Sequence, residues 1–345
     1  MSAKLTDEVF LGDIIMNTKV KVSVVIPNYN GMAYLEKCIA SLMRQTVSRF
    51  EILVMDDAST DGSIEAVQKK YPSNGTFPLI RYSRCLKNRG FCATVNDGIE
   101  YARGEYVILL NNDTEAEPGF VEALYREIRK KENTFSVAAA MLSMQDPTLM
   151  DDAGDYYCAL GWAFAPAKDK PACNYDKRYK IFSACGGAAI YRKDLLKKLG
   201  EFDPRHFAYL EDVDIGWRAK LAGYENRYTP KAVVKHAGSA TTGSRHNPFK
   251  VRITARNNIY LIRKNMAPWQ IIVNFPLLAA GHLIKLLFFA KKGFAKDYLE
   301  GLKEGFAMCR DVMARKRRVD FRKVPLLRQI RIEAELLGNV VRRIH

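Results

Sequence analysis

Four short β-rich runs, each giving way to a segment with helical spacing, constrain this chain more than any other feature. The runs are "KVSVVIP" (21–27), "FEILVMDD" (50–57), "LIRYS" (79–83) and "EYVILL" (105–110). Their β-branched, uninterrupted apolar content reads as buried strand. Alternating with them are "MAYLEKCIASLMRQ" (32–45), "STDGS" leading into "IEAVQKK", "FCATVNDGIEYA" (91–102) and "PGFVEALYREIRKK" (118–131). Leu35, Cys38, Ile39 and Leu42 recur at helical spacing, and Pro118 stands where a helix start tolerates proline. This β-α-β-α rhythm predicts an α/β fold, a mostly parallel sheet with helices on both faces. With 345 residues, 48% of them hydrophobic, the chain can bury the core such a fold needs.

In a sheet wound this way, ligands bind beyond the carboxyl ends of the strands. "PNYN" follows the first run, "MDDASTDGS" the second and "NNDT" the fourth. Each alone is an ordinary turn or cap, but three at the same end converge on one rim. Asp56 and Asp57 can accept hydrogen bonds from ribose hydroxyls or a base imide. The chain has no GxGxxG and no GxxxxGK[ST], which disfavours a dinucleotide or ATP phosphate cradle. Phosphates not held by a glycine loop commonly need a divalent cation, and Asp113 is the best hard-oxygen ligand for Mg²⁺ or Mn²⁺.

Further on, "FAYLEDVDIGWRAKLAGY" (207–224) packs Glu211, Asp212 and Asp214 into four residues ahead of a helical pattern. A carboxylate there is stabilised by the free amides of a helix start; facing the rim, it is also a candidate general base. "AVVKHAGSATTGS" (232–244) carries His236 at the end of another β-like run, as "NNDT" carries Asp113, which makes His236 a second candidate metal ligand.

In this order, "VSVVIPNYNG", "ILVMDDASTDGS", "NRGFCATVNDGI", "YVILLNNDT", "FSACGGAAIYRKDLLKKLGEFDP" and "YLEDVDIGWRAKLAGY" resemble the family-2 inverting glycosyltransferases of the GT-A fold over about residues 20–245. The resemblance implies a Rossmann-like GT-A domain. Pro27, Tyr29 and Asn30 match the loop against the nucleotide, Asp57 with Asp56 the carboxylate for base and ribose, and Asn88 and Gly90 a second nucleotide-facing turn. Asn111, Asn112 and Asp113 occupy the family's DxD position, with Asn111 in place of its first Asp. Gly186 and Gly187 match the segment framing donor sugar and acceptor, and Asp212 the catalytic base; Glu211 and Trp217 are read as acceptor-binding. His236 lies where many such enzymes place a further metal contact. Inverting transfer from a nucleotide-sugar is then expected. The "LNNDT" variant with a basic tail resembles bacterial rhamnosyltransferases that use dTDP-rhamnose to extend surface polysaccharides. UDP-hexose or UDP-N-acetylhexosamine transfer, and an inactive GT-A-like binding module, are the alternatives. A nucleotidyltransferase would carry a basic phosphate loop where "PNYNGMAYL" has no Lys or Arg.

Charge divides the chain. Residues 245–345 hold 22 Lys and Arg against 7 Asp and Glu, so nearly all of the net +16 sits there. The expected organisation is an N-terminal extension (1–19), a catalytic domain (20–245) and a basic amphipathic helical region (246–345). Within the last, "WQIIVNFPLLAAGHLIKLLFFAKKG" (269–293) is the most apolar stretch, but Asn274, Pro276, Gly281, His282 and Lys285 interrupt it, so a surface-lying helix or a re-entrant hairpin is expected before a span. The helix after it and "RKRR" (315–318) suit anionic head groups. No nucleic-acid-reading motif accompanies the charge. The expected partners are therefore a nucleotide-sugar, a lipid-linked saccharide acceptor and an anionic membrane surface met by residues 266–345; packing of these helices on the catalytic domain, or a homodimer through the tail, is the alternative. Seven scattered cysteines without a CxxC pair and no secretory signal point to the cytoplasm, at the inner face of the membrane.

Overall fold

The computed structural model describes residues 20–238 and 246–344; the N-terminal extension (1–19) and the end of the 232–244 run lie outside the described residues. The expected strands and helices are present. The chain runs β1 (Val22–Asn28), α1 (Leu35–Met43), β2 (Glu51–Asp56), α2 (Ser63–Lys70), β3 (Leu79–Arg84), α3 (Phe91–Tyr101), β4 (Tyr106–Leu110), β5 (Thr114–Ala116), α4 (Phe120–Ile128) and β6 (Thr134–Ser143). Next come β7 (Met150–Asp152), β8 (Tyr156–Cys158), β9 (Trp162–Phe164), β10 (Tyr179–Ile181), β11 (Ala188–Arg192), α5 (Lys193–Leu199), α6 (Glu211–Ala222) and β12 (Glu225–His236).

The main sheet has the order β10-β12-β6-β11-β4-β1-β2-β3. β3, β2, β1 and β4 are parallel neighbours, as the β-α rhythm predicts, and β11 enters antiparallel between β4 and β6. Strand pleat sends alternate residues to opposite faces, and both faces are covered. Val25, Val107 and Leu109 join a core with α3, α5 and α6, while Val24, Ile26, Ile108 and Leu110 join another with α1, α2 and α4. That is why these strands read as unbroken apolar runs rather than alternating ones.

The basic region is helical: α7 (Pro248–Asn265), α8 (Pro268–Lys291), α9 (Ala295–Arg310), α10 (Val312–Lys316) and α11 (Leu326–Ile344). Residue 246 is not a packing boundary. Leu261, Ile262 and Met266 of α7 and its exit, Leu278 of α8, and Ile332 and Leu336 of α11 belong to the same core as Trp217 and Tyr157. Composition changes at 246 but the apolar cluster does not.

α8 is long and apolar enough to cross a membrane, with 17% of its most apolar window buried. Its polar interruptions all face the protein. Gln270 and Asn274 donate to the two carboxylate oxygens of Glu333 at 2.9 and 2.7 Å, and His282 bonds Tyr298 at 2.8 Å. The Lys285 ammonium lies over the Trp162 ring, and burial lowers its pKa to about 8. At Gly281 the helix touches Leu160, where a Cβ would come within 2.0 Å of the carbonyl oxygen. The opposite face, with Ile272, Val273, Phe275, Leu283, Ile284, Leu287 and Phe288, is exposed and apolar until Lys291 in the last turn.

Candidate active site

The rim is built from the carboxyl ends of β1, β2 and β4, and an amide-carboxylate lattice joins them. Asn28, ending β1, donates to Asp56 at 2.8 Å and accepts from Asn112 at 2.7 Å. Gly31 leaves room for that lattice: a Cβ there would stand 2.2 Å from the Asn28 oxygen. Asp56 is 1% exposed, and its other oxygen accepts from the Ser59 amide at 3.0 Å. Asp56 and Asn112, both expected at the donor, are buried and bonded to neighbouring side chains and amides, and they hold the loops in register. Such buried polar groups are tolerable because each is hydrogen-bonded.

Asp57 joins the second loop to the third. Its carboxylate accepts from the Arg89 amide at 2.9 Å and the Gly90 amide at 2.8 Å. Asn88 caps the same turn by accepting from Gly90 at 3.0 Å. On the first loop Asn30, left-handed at φ 52°, accepts from the Thr60 amide, while Tyr29 is 41% exposed and available. Pro27 is half-buried in β1 beside them.

Asp113 and His236 meet. β5 pairs antiparallel with the end of β12, His236 opposite Thr114, and the Asp113 Oδ1 to His236 Nε2 distance is 3.2 Å. The other imidazole nitrogen is held by Asp151 at 2.7 Å. Burial opposes protonation of His236, but the hydrogen bonds to Asp113 and Asp151 outweigh it and raise its pKa to about 9. A carboxylate oxygen beside an imidazole nitrogen whose far side is fixed by a second carboxylate is a donor set that fits a divalent cation. Asp151 was not anticipated; 85 residues separate it from His236, and its signal was the carboxylate cluster "MDDAGD".

The base side adjoins this lip. The Asn111 amide donates to the Gly187 carbonyl at 2.9 Å, and the Gly186 amide donates to the Asp212 carboxylate. The two glycines thus link the loop of residues 111–113 to the first turn of α6. Asp212 also accepts from the Val213 amide at 2.7 Å. Burial pushes its pKa up, partly offset by these amides. Beside it Asp155 is raised well above the carboxylate range by burial and by Asp152, Asp212 and Glu211, and its side chain bonds Asp212. Asp152, raised to about 7 chiefly by burial, and Cys185 complete a group whose ligand atoms with Asp155 lie within 4.8 Å of one another. Sequence reading missed Asp152 and Asp155 as well.

Glu211 is 7% exposed, with one carboxylate oxygen unpartnered. Trp217 is wholly buried between Tyr157 and Phe182, with ring centroids 5.1 and 5.3 Å away. Its expected acceptor contact is corrected: Trp217 stands five residues, about 140° of helix rotation, beyond Asp212 and is packed in the core. Asp214 points inward too; burial works against its charge, but Arg218 and Lys264 hold its pKa far below the usual range.

Residues 23–200, more than half of the chain, match the family model "Glycosyl transferase family 2". The chain belongs to that family. It is a nucleotide-sugar glycosyltransferase. Among relatives of this glycosyltransferase, the N-acetylglucosaminyl-diphospho-decaprenol L-rhamnosyltransferase of Mycobacterium tuberculosis is 26% identical over 245 residues, 64% of this chain and 77% of the relative. The chondroitin synthase of Escherichia coli is 34% identical over 109 residues, 32% of this chain and 15% of its own length. Two solved structures share the fold. GalNAc-T7 with UDP, GalNAc and Mn²⁺ aligns with TM-score 0.59 at 17% identity, covering 72% of this chain and 48% of that one. The mannosyltransferase PcManGT from Pyrobaculum calidifontis, with GDP-Man and Mn²⁺, aligns with TM-score 0.54 at 18% identity, covering 86% and 77%. The GT-A architecture expected from sequence is thereby established.

Proposed function

We propose that this glycosyltransferase moves a sugar, with inversion, from dTDP-rhamnose to a lipid-linked saccharide at the cytoplasmic face of a membrane, in surface polysaccharide synthesis. The observation that carries the reaction is the continuity of the rim. Asp113 and His236 lie on one side of Gly186–Gly187, and the amide of Gly186 holds Asp212 on the other. Asp212 is oriented by amides and takes the proton of the acceptor hydroxyl as that oxygen attacks the anomeric carbon. The elevated pKa suits a base that must hold the proton it receives. Asp113 and His236 would hold Mn²⁺ or Mg²⁺, and the bound ion would offset charge gathering on the departing diphosphate. Tyr29, Asn30 and the Asp57-bound turn border the nucleotide.

The rhamnose donor rests on likeness to the mycobacterial rhamnosyltransferase over 64% of the chain. Membrane contact is supported by the exposed apolar face of α8, which ends in Lys291. A transmembrane α8 would tear Gln270 and Asn274 from Glu333, so the helix lies in the interface with that face down.

A panel of UDP-, dTDP- and GDP-sugars, assayed with Mn²⁺ or Mg²⁺ for nucleoside diphosphate release, tests the donor; consumption of UDP-sugars alone would overturn rhamnose. Asp212→Asn should lower turnover at least ~100-fold, the scale of general-base catalysis, while donor affinity stays within about twofold. Asp113→Ala should abolish the Mn²⁺ dependence of donor affinity, and an unchanged titration would remove it as a ligand.

A further inference from the structure

The four residues leading into the base carry an unusual backbone. Phe207, Tyr209 and Leu210 have φ of 62°, 69° and 68°, all left-handed and none glycine. Phe207, with ψ −62°, is the centre of a γ-turn of the rare sign: the Ala208 amide donates to the His206 carbonyl at 2.7 Å. Side chains with a Cβ do not collect in this region unless the surroundings hold them there, and such segments are found where function demands the geometry. Leu210 immediately precedes Glu211 and Asp212, so this backbone sets where α6 begins.

Helix α7 supplies the hold. Asn257 is 0% exposed, and its amide nitrogen donates to the carbonyls of His206, Ala208 and Tyr209 at 2.9, 2.9 and 2.8 Å. Arg256, next to it, donates to the carbonyls of Arg205 and His206 at 3.0 and 2.9 Å. One turn and more along α7, the Lys264 ammonium bonds Asp203 at 2.8 Å and Asp214 at 2.9 Å, pinning the residues before and after the loop. On the far side the Cys92 amide bonds the Phe207 carbonyl, and the Phe207 ring covers Gly90, where a Cβ would come within 2.4 Å of it.

We propose that Asn257 is a positioning residue for sugar transfer, holding the left-handed 207–210 loop so that Asp212 meets the acceptor hydroxyl. The helix that begins the basic region thereby becomes part of the catalytic apparatus. Asn257 touches no reacting atom; it acts by satisfying a row of carbonyls that only the left-handed loop turns toward α7. The proposal rests on Asp212 being the base.

The test uses Asn257→Leu, close in size and without donors, assayed with dTDP-rhamnose or whichever sugar nucleotide the wild-type chain consumes in the panel. Turnover is expected to fall at least thirtyfold, while binding of dTDP and UDP with Mn²⁺, and the donor KM, stay within about twofold. Adding Leu210→Gly, which removes the cost of a left-handed Cβ, should return at least fivefold of the lost turnover. A merely structural role predicts parallel loss of turnover and nucleotide binding, and no rescue. Turnover per folded molecule within twofold of wild type, or failure of the glycine to restore any, would overturn the proposal. If Asn257→Leu does not fold, Arg256→Ala removes two bonds to the same row from a half-exposed position. It should lower turnover three- to tenfold with nucleotide binding intact, and unchanged turnover would overturn the proposal. Asp212→Asn in the same assay separates the two assignments. Activity there removes the base, whereas an inactive Asp212→Asn beside a wild-type-like Asn257→Leu removes only the positioning role.

Discussion

Helices α7 and α8 are adjacent in the chain and occupy opposite environments from those their compositions suggest. α7, "PFKVRITARNNIYLIRKN", is rich in Arg, Lys and Asn, yet Asn257, Asn258, Lys264 and Asn265 are all buried. α8 is the most apolar helix, yet Ile272 is 75% exposed and Phe275 67%. The difference teaches that burial follows partners as much as polarity. Asn257, Lys264 and Asn265 donate to carbonyls or carboxylates that need them, and Asn258 accepts from the Tyr157 hydroxyl, so much of their desolvation is compensated. The outer face of α8 is largely uncovered by the described residues, from Ile272 to Leu287, and an exposed apolar face of that extent marks an interaction surface.

Breaking the compensation in α7 should have the largest effect. Lys264→Met strips the ammonium from buried Asp203 and Asp214 and should destabilise the fold by about 3–5 kcal/mol, the range for a buried pair losing one partner. Urea unfolding measures this; a change below about 1 kcal/mol would mean that Arg218 and Tyr260 suffice for the two carboxylates.

The counterpart in α8 is Ile272→Asn with Phe275→Asn and Leu287→Asn. Flotation with anionic liposomes should drop to background, while stability shifts by only about 0.5 kcal/mol per site, as for exposed positions. Removing residues 266–345 wholesale would not make this test, because α8 and α11 contribute Leu278, Ile332 and Leu336 to the common core. A milder perturbation is salt. The basic residues of the region should make flotation weaken between about 0.1 and 0.5 M NaCl, where screening shortens from ~10 Å; salt-independent binding would assign the contact to the apolar face alone.

The smallest effect concerns the base side. Asp152 has a folded pKa of about 7 against an ordinary 3.8. The native chain therefore holds a proton in that interval that the unfolded chain has released. Its contribution is full below 3.8 and declines as pH rises toward 7. Asp152→Asn should raise Tm relative to wild type by about 2 °C at pH 8 and by less at pH 5. An equal difference at both values would show that Asp152 is charged in the native state.

Much of this was legible in the residues. The "KVSVVIP" and "EYVILL" runs became β1 and β4 within a residue of their expected limits, since strand and helix periodicity is set locally. That Asp113 and His236 follow apolar runs at one end of the sheet was legible, and the structure brings the two together, whereas Asp212 was told apart from Glu211 and Asp214 only by the family resemblance. Asp56, Asn112 and Trp217 look equally eligible in sequence, and only packing shows that they turn inward. Asp151 and Asp155 left only the carboxylate cluster "MDDAGD" as a signal and Asn257 left none, because their partners lie far along the chain, 85 residues away for Asp151 and nearly 50 for Asn257.

The sequence by itself determined the α/β order, the rim on which chemistry gathers and the family to which the chain belongs. These follow from local periodicity and from short motifs whose residues stay together in the chain. Only the tertiary structure decided which carboxylates turn inward, that a polar helix from the basic region braces the loop before Asp212, and that the polar breaks Asn274, His282 and Lys285 in α8 face the protein. Those outcomes depend on hydrogen-bond partners distant in sequence, and a buried polar group is placed by the partner that satisfies it.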